Sequence, residues 1–174
     1  GLNVLLADAP PKASGSLSAP STAQPEVSYL QPMQLEGTPN MMKGRCYCGA
    51  LQYEALGEPQ IKAQCHCREC QYISGGGPNY FLLMPVEGYS YTAGNPASFT
   101  RGDLENPVTR EFCAICGTHM ITRLPNRPVV VLKAGTLDDP KVYDAPQMAI
   151  HTLDKQPFHI LPDGVAAFDR LPQA

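Results

Sequence analysis

Apolar and polar positions in this chain alternate in short bursts and never settle into a long helical stripe. GRCYCGALQYEA (44–55) alternates with a period of two, PNYFLLM (78–84) is aromatic and apolar, and RPVVVLKAG (127–135) is a β-branched run ended by glycine. Such runs fit pleated, half-buried strands. Turn signals separate them at close intervals: GEP, SGGGP, EGY, AGNP, LPNRP, LDDPK and LPDG. The one helical candidate is the short piece from Arg68 to about Ser74, stopped by Gly75-Gly76-Gly77. Strands do not alternate with helices, which argues against a parallel sheet. The pattern predicts a mainly β domain.

Composition changes near Met41 and divides the chain. Residues 1 to 40 contain six prolines, four charged residues and no cysteine. Without apolar periodicity, that stretch is expected to be a proline-rich extension or linker over 1–42, ahead of a β domain over 43–174. GLNVLLADAPPK has a short greasy stretch but no basic leader, so no secretory signal is read there. Met41-Met42 fits a native start, with the preceding segment an upstream addition. A net charge of −3 offers no polybasic surface, so nucleic acid is a poor partner, and no apolar run reaches bilayer length.

Cysteine spacing changes the picture most. There are seven cysteines, an odd number, gathered as Cys46-x-Cys48, Cys65-x-Cys67-x-x-Cys70 and Cys113-x-x-Cys116. An odd, clustered set fits metal binding in a reducing compartment better than a disulfide framework, and so points to the cytoplasm. Cys46 and Cys48, at i and i+2 on a strand, would project from one face. Each outer cluster is followed by glycine, Gly49 and Gly117, as a tight thiolate-holding turn requires. Cys46, Cys48, Cys113 and Cys116 together supply the closed four-sulfur set of a structural zinc.

Cys65, Cys67 and Cys70 remain, and no eighth cysteine exists to close a second tetrahedron. Three ligands and a free position match a catalytic zinc, more labile than the structural one. His66 is an alternative fourth ligand, although it faces away if Cys65 and Cys67 share one face of an extended segment. A metal-free redox trio is a third reading of the Cys-x-x-Cys spacing. His119, His151 and His159 are expected to be packing or surface groups, and Arg68 and Glu69 solvated neighbours, with Arg68 able to lower a thiol pKa by proximity. Gly75 and Gly76 offer amides to a carboxylate beside Cys70, and Lys155 offers a cation. Each also has a plain reading, as a flexible turn and a solvated lysine.

These motifs resemble the glutathione-dependent formaldehyde-activating enzyme family. GRCYCGA (44–50) is similar to its opening element, CHCRECQYISGG (65–76) to its central cluster, and TREFCAICGTHM (109–120) to its closing one. AGTLDDP (134–140) and DKQPFHILPDGVAAF (154–168) read like its C-terminal part, so the resemblance spans about 44 to 172. It implies a β-tent fold of antiparallel sheets built around zinc. It also implies a structural zinc on Cys46, Cys48, Cys113 and Cys116, and a catalytic zinc on Cys65, Cys67 and Cys70. The implied activity is condensation of glutathione, or a related thiol, with formaldehyde or another small aldehyde, classed as a carbon–sulfur lyase in reverse. Partners would be a small thiol and aldehyde, with a homo-oligomer also compatible. A non-catalytic β-tent module that binds a peptide or protein is the rival class. One departure stands out: Ala149 occupies the place of an expected family histidine before Ile150, and His151 follows instead.

Overall fold

The computed structural model describes residues 40–173. The expected extension over 1–42 therefore lies outside the described residues, apart from its last three positions. Met41 and Met42 belong to the first strand, β1 (Met41–Arg45). β1 pairs antiparallel with β2 (Gln52–Leu56), which pairs with β5 (Tyr89–Ala93), giving a three-stranded sheet. An eight-stranded sheet runs from β3 (Ile61–Cys65) through β4 (Asn79–Pro85), β9 (Val129–Lys133), β8 (His119–Arg123) and β7 (Thr109–Phe112) to β6 (Ala97–Thr100). On the far side of β3 it continues through β10 (Met148–Ile150) and β11 (Ala166–Ala167).

The chain is mainly β, as its alternation implies, but the large sheet is mixed. β10 lies parallel to both β3 and β11, with Ile150 opposite Cys65. A three-residue strand carries too little alternation to announce itself, and the long loop after β9 supplies the crossover that parallel pairing needs. No helix among the described residues is long and apolar enough to cross a membrane.

Strand pairing decides which side chains meet. Partners across a ladder point to one face, and every second residue joins them. Leu82, Met84, Ile121, Val130 and Leu132 share the face that packs on Met42, Tyr53, Ala55 and Tyr89 of the small sheet. Fully burying a side chain of this size contributes about 1.5–3 kcal/mol. This layer is the main core. The opposite face carries a row running Arg110, Thr122, Val131, Lys133, Phe81, Asn79 and Cys65. Its apolar members pack with Met148, Ile150 and Phe168, and with Cys67 and Cys70, in a second cluster.

The helix α1 (Arg68–Ser74) belongs to that second face. The extended Cys67 forms its N-cap, its sulfur accepting from the Cys70 amide at 3.4 Å. Gly75, at φ 76°, ends it where a side chain would strain the backbone. Two of its side chains tether it. Glu69 bridges Arg101 at 2.7 Å and also pairs with Arg110. Gln71, buried, donates to the carbonyls of His66 at 2.6 Å and Asp154 at 2.9 Å.

Candidate metal centre

Two turns of like design build the first cluster. After β1, the Cys46 amide donates to the Leu51 carbonyl at 3.0 Å, and the Gly49 amide returns to the Cys46 carbonyl at 3.0 Å. After β7, the Cys113 amide bonds the Thr118 carbonyl, and the Gly117 amide returns to Cys113 at 2.8 Å. Gly49 and Gly117 sit at φ 77° and 73°, the left-handed conformation that closes each turn. Cys46 and Cys48 thus converge through a turn, and not along a strand as their i, i+2 spacing suggests; β1 ends at Arg45.

The four sulfurs of Cys46, Cys48, Cys113 and Cys116 lie within 4.8 Å of one another. Cys46 and Cys48 are 3.5 Å apart, Cys48 and Cys113 3.7 Å. A zinc with four sulfurs at about 2.3 Å has sulfur–sulfur edges of about 3.8 Å, so the set fits a closed tetrahedral ion. Neighbours already serve the sulfurs as hydrogen-bond donors would serve bound thiolates. The Leu51 amide donates to Cys46 Sγ at 3.2 Å, and the Thr118 hydroxyl lies 3.2 Å from Cys116 Sγ. The side chain and then the amide of Thr118 hold Cys116 down to about 5. The cluster joins a strand of the small sheet to a hairpin of the large one. A metal here would clamp the two layers.

The second cluster gathers Cys65 from the end of β3 with Cys67 and Cys70 from the start of α1, again within 4.8 Å. Cys65 is buried, whereas Cys67 and Cys70 are half-buried and reachable. Hydrogen bonding from Cys65, then Cys70, drives Cys67 down to about 2, and Cys65 correspondingly upward. One thiolate forms readily and its neighbours stabilise it. Among the described residues no fourth donor joins these three sulfurs, a set that fits a metal keeping a position open.

His66 does not close this site. It is fully buried on the other side of the chain from Cys65, its Nδ1 3.0 Å from Nδ1 of His159. His159 Nε2 donates to the Gly76 carbonyl at 2.7 Å, so its Nδ1 is the acceptor and His66 Nδ1 the donor. His159 is thus a buried structural group. His151, expected as a packing or surface group, stands beside Cys67 close enough for its charge to act on that thiol, at a left-handed φ of 54°. Ala149 is fully buried between β3 and β11, a place with no room for a solvated side chain.

The expected substrate contacts fare unevenly. The Gly75 and Gly76 amides both bond the Gln71 carbonyl, closing α1 instead of facing a ligand. Lys155 is exposed, its ammonium 3.4 Å from the His159 carbonyl. Arg68 turns to Gln71 and lies over the Tyr72 ring, away from the thiols. Glu69 is the ion-pair tether already described, a role beyond a solvated neighbour.

Sequence reading missed a cleft of about 380 Å³ lined by Ser74, Asn79, Tyr80, His119, Lys133 and Gly135, among others. Asn79 is the ladder partner of Cys65, and the thiols of Cys70, Cys65 and Cys67 all act on the Lys133 charge. The cleft and the three thiols therefore share a wall. Burial lowers His119 to about 4, leaving a neutral imidazole. The signal was present in VVVLK: a lysine in phase with Val129 and Val131 on a buried strand needs a reason.

A family model described as glutathione-dependent formaldehyde-activating enzyme matches residues 41–154. Among solved structures, a Rhodobacter sphaeroides protein is 20% identical with a TM-score of 0.46, covering 56% of this chain and 88% of that one. No curated protein matches.

Proposed function

Because the chain belongs to the glutathione-dependent formaldehyde-activating enzyme family, we propose that it joins a thiol, glutathione or a relative, to formaldehyde or another small aldehyde. In the reaction a carbon–sulfur bond forms, and the thiol proton ends on the former carbonyl oxygen. The reverse direction is a carbon–sulfur lyase. The observation that carries this reading is the inequality of the two clusters. Four sulfurs close on themselves, and three beside a cleft do not.

Cys46, Cys48, Cys113 and Cys116 would hold a structural zinc between the sheets, an arrangement we read as the family's β-tent. Cys65, Cys67 and Cys70 would hold a second, more labile zinc. Bound there, zinc supplies Lewis acidity that lowers the pKa of an arriving thiol from near 8.5. The chain's own part is positional. Glu69 and Gln71 fix α1, which carries Cys70 and is capped by Cys67. Lys133, buried beside the thiols, offsets their accumulated negative charge. The cleft, lined by the Cys65 ladder partner Asn79, would admit a small molecule toward the three thiols. Among the described residues all seven cysteines are free, which suits a reducing compartment, and we place the activity in the cytoplasm.

The test is thiol-dependent consumption of formaldehyde, followed by the appearance of the hydroxymethyl thioether. Wild type should catalyse it, and Cys67→Ser should not, while remaining folded. Equal rates in the two proteins would remove the three-cysteine site from the chemistry and favour a zinc-stapled binding module.

A further inference from the structure

Lys133 is 7% exposed, and its ammonium donates to the Thr122 hydroxyl at 3.1 Å. It forms no ion pair with an aspartate or glutamate among the described residues. Arg110, the other buried cation of the same face, is neutralised by Glu69. A buried charge is ordinarily paired. Burial lowers Lys133 to about 8, with the nearby Cys70 thiol opposing the shift, so the group is still a cation near pH 7.

Among the described residues, no acidic side chain lines the cleft that Lys133 borders. Its other polar walls are neutral: the Asn79 amide, the Ser74 hydroxyl, and His119, whose buried Nδ1 has no partner. The electrostatics therefore favour an anion at the Lys133 end and a thiol at the cysteine end. Lys133 stands opposite Phe81 on β4, and Cys65 stands opposite Asn79, two residues along the same strand. Two strand spacings and two residues of rise put the two Cα atoms about 12 Å apart. The Lys133 ammonium turns toward Thr122 on β8, on the side of β9 away from Cys65, so the span between ammonium and thiols suits a molecule whose carboxylate lies several bonds from its sulfur.

We propose that Lys133 is the specificity-determining residue of this cleft, selecting thiols that carry a carboxylate and holding that carboxylate while the sulfur meets Cys65, Cys67 and Cys70. This rests on the open three-cysteine reading given above. Asn79 and His119 complete the lining as neutral hydrogen-bonding groups, which leaves the lysine as the sole charge that discriminates.

The experiment uses the full chain loaded with Co²⁺ and follows the thiolate-to-cobalt absorption during titration with two matched probes. These are 3-mercaptopropionate and its methyl ester, alike in size and differing in charge. Wild type should bind the acid about ten- to a hundred-fold more tightly than the ester near pH 7, the range for a hydrogen bond to a charged group. Lys133→Met should erase that ratio by weakening the acid far more than the ester, and Lys133→Arg should retain most of it. A retained four-cysteine cobalt spectrum verifies folding; should Lys133→Met fail to fold, Lys133→Gln carries the same expectation. Equal affinity for acid and ester in wild type overturns the role of Lys133 and leaves the open site standing. If neither probe, nor glutathione, changes the cobalt spectrum, the open-site reading falls and this inference with it.

Discussion

Replacing Glu69 with alanine should destabilise the protein through the charge it leaves behind. Glu69 pairs with Arg101, and with Arg110, whose side chain is 10% exposed. Arg101 keeps Asp103 at 2.6 Å and loses little. Arg110 is left as a buried guanidinium without its anion. Breaking a fully buried pair costs about 3–5 kcal/mol, whereas an exposed pair contributes up to about 1 kcal/mol. The Glu69 carboxylate is 41% exposed, so water reaches the site and the cost falls between, about 2 kcal/mol. For a domain of this size that lowers Tm by about 8 °C. Calorimetry or circular dichroism on metal-loaded protein would measure it. The second substitution is diagnostic: Arg110→Met in the Glu69→Ala background removes the stranded charge and should recover much of the loss. A Glu69→Ala variant that melts like wild type would refute the tether. A double variant weaker than the single one would refute the stranded-charge explanation.

Cys113→Ser opens the four-sulfur cluster between the sheets and should yield little soluble folded protein. A structural zinc supplies on the order of 10 kcal/mol, comparable to the whole stability of a domain, and expression with metal analysis reads the outcome. Gly44→Ala should be destabilising by about 1–3 kcal/mol, measured by urea denaturation. The added carbon would land on the Tyr53 hydroxyl and the Thr136 carbonyl oxygen, inside contact distance.

The cysteine clusters were legible in the sequence because the turns that carry them are local. Cys-x-Cys-Gly and Cys-x-x-Cys-Gly each specify a closed loop within a few residues, and the following glycine reports the left-handed turn. α1 was equally legible: its end at Ser74 is written in Gly75. What escaped depends on contacts distant in sequence. The parallel placement of β10 is decided by β3, more than eighty residues earlier. Lys133 reads as the polar end of an apolar strand until the ladder through Phe81 and Asn79 sets it near Cys65. Glu69 reads as a surface charge until Arg110 arrives from β7. Gly75 and Gly76 erred the other way. Three consecutive glycines suggest free amides, but ending a helix uses the first two.

Stepwise metal removal tests most directly the central claim of one closed and one open site. Protein purified without chelator would be titrated with a competing chelator, and zinc content and far-ultraviolet circular dichroism followed together. An incomplete ligand set loses metal more readily than a complete one. The three-cysteine site should therefore empty first, leaving about one zinc per chain on a folded protein that no longer responds to thiols. Simultaneous loss of both metals with unfolding, or a second metal that resists chelator as firmly as the first, would contradict it.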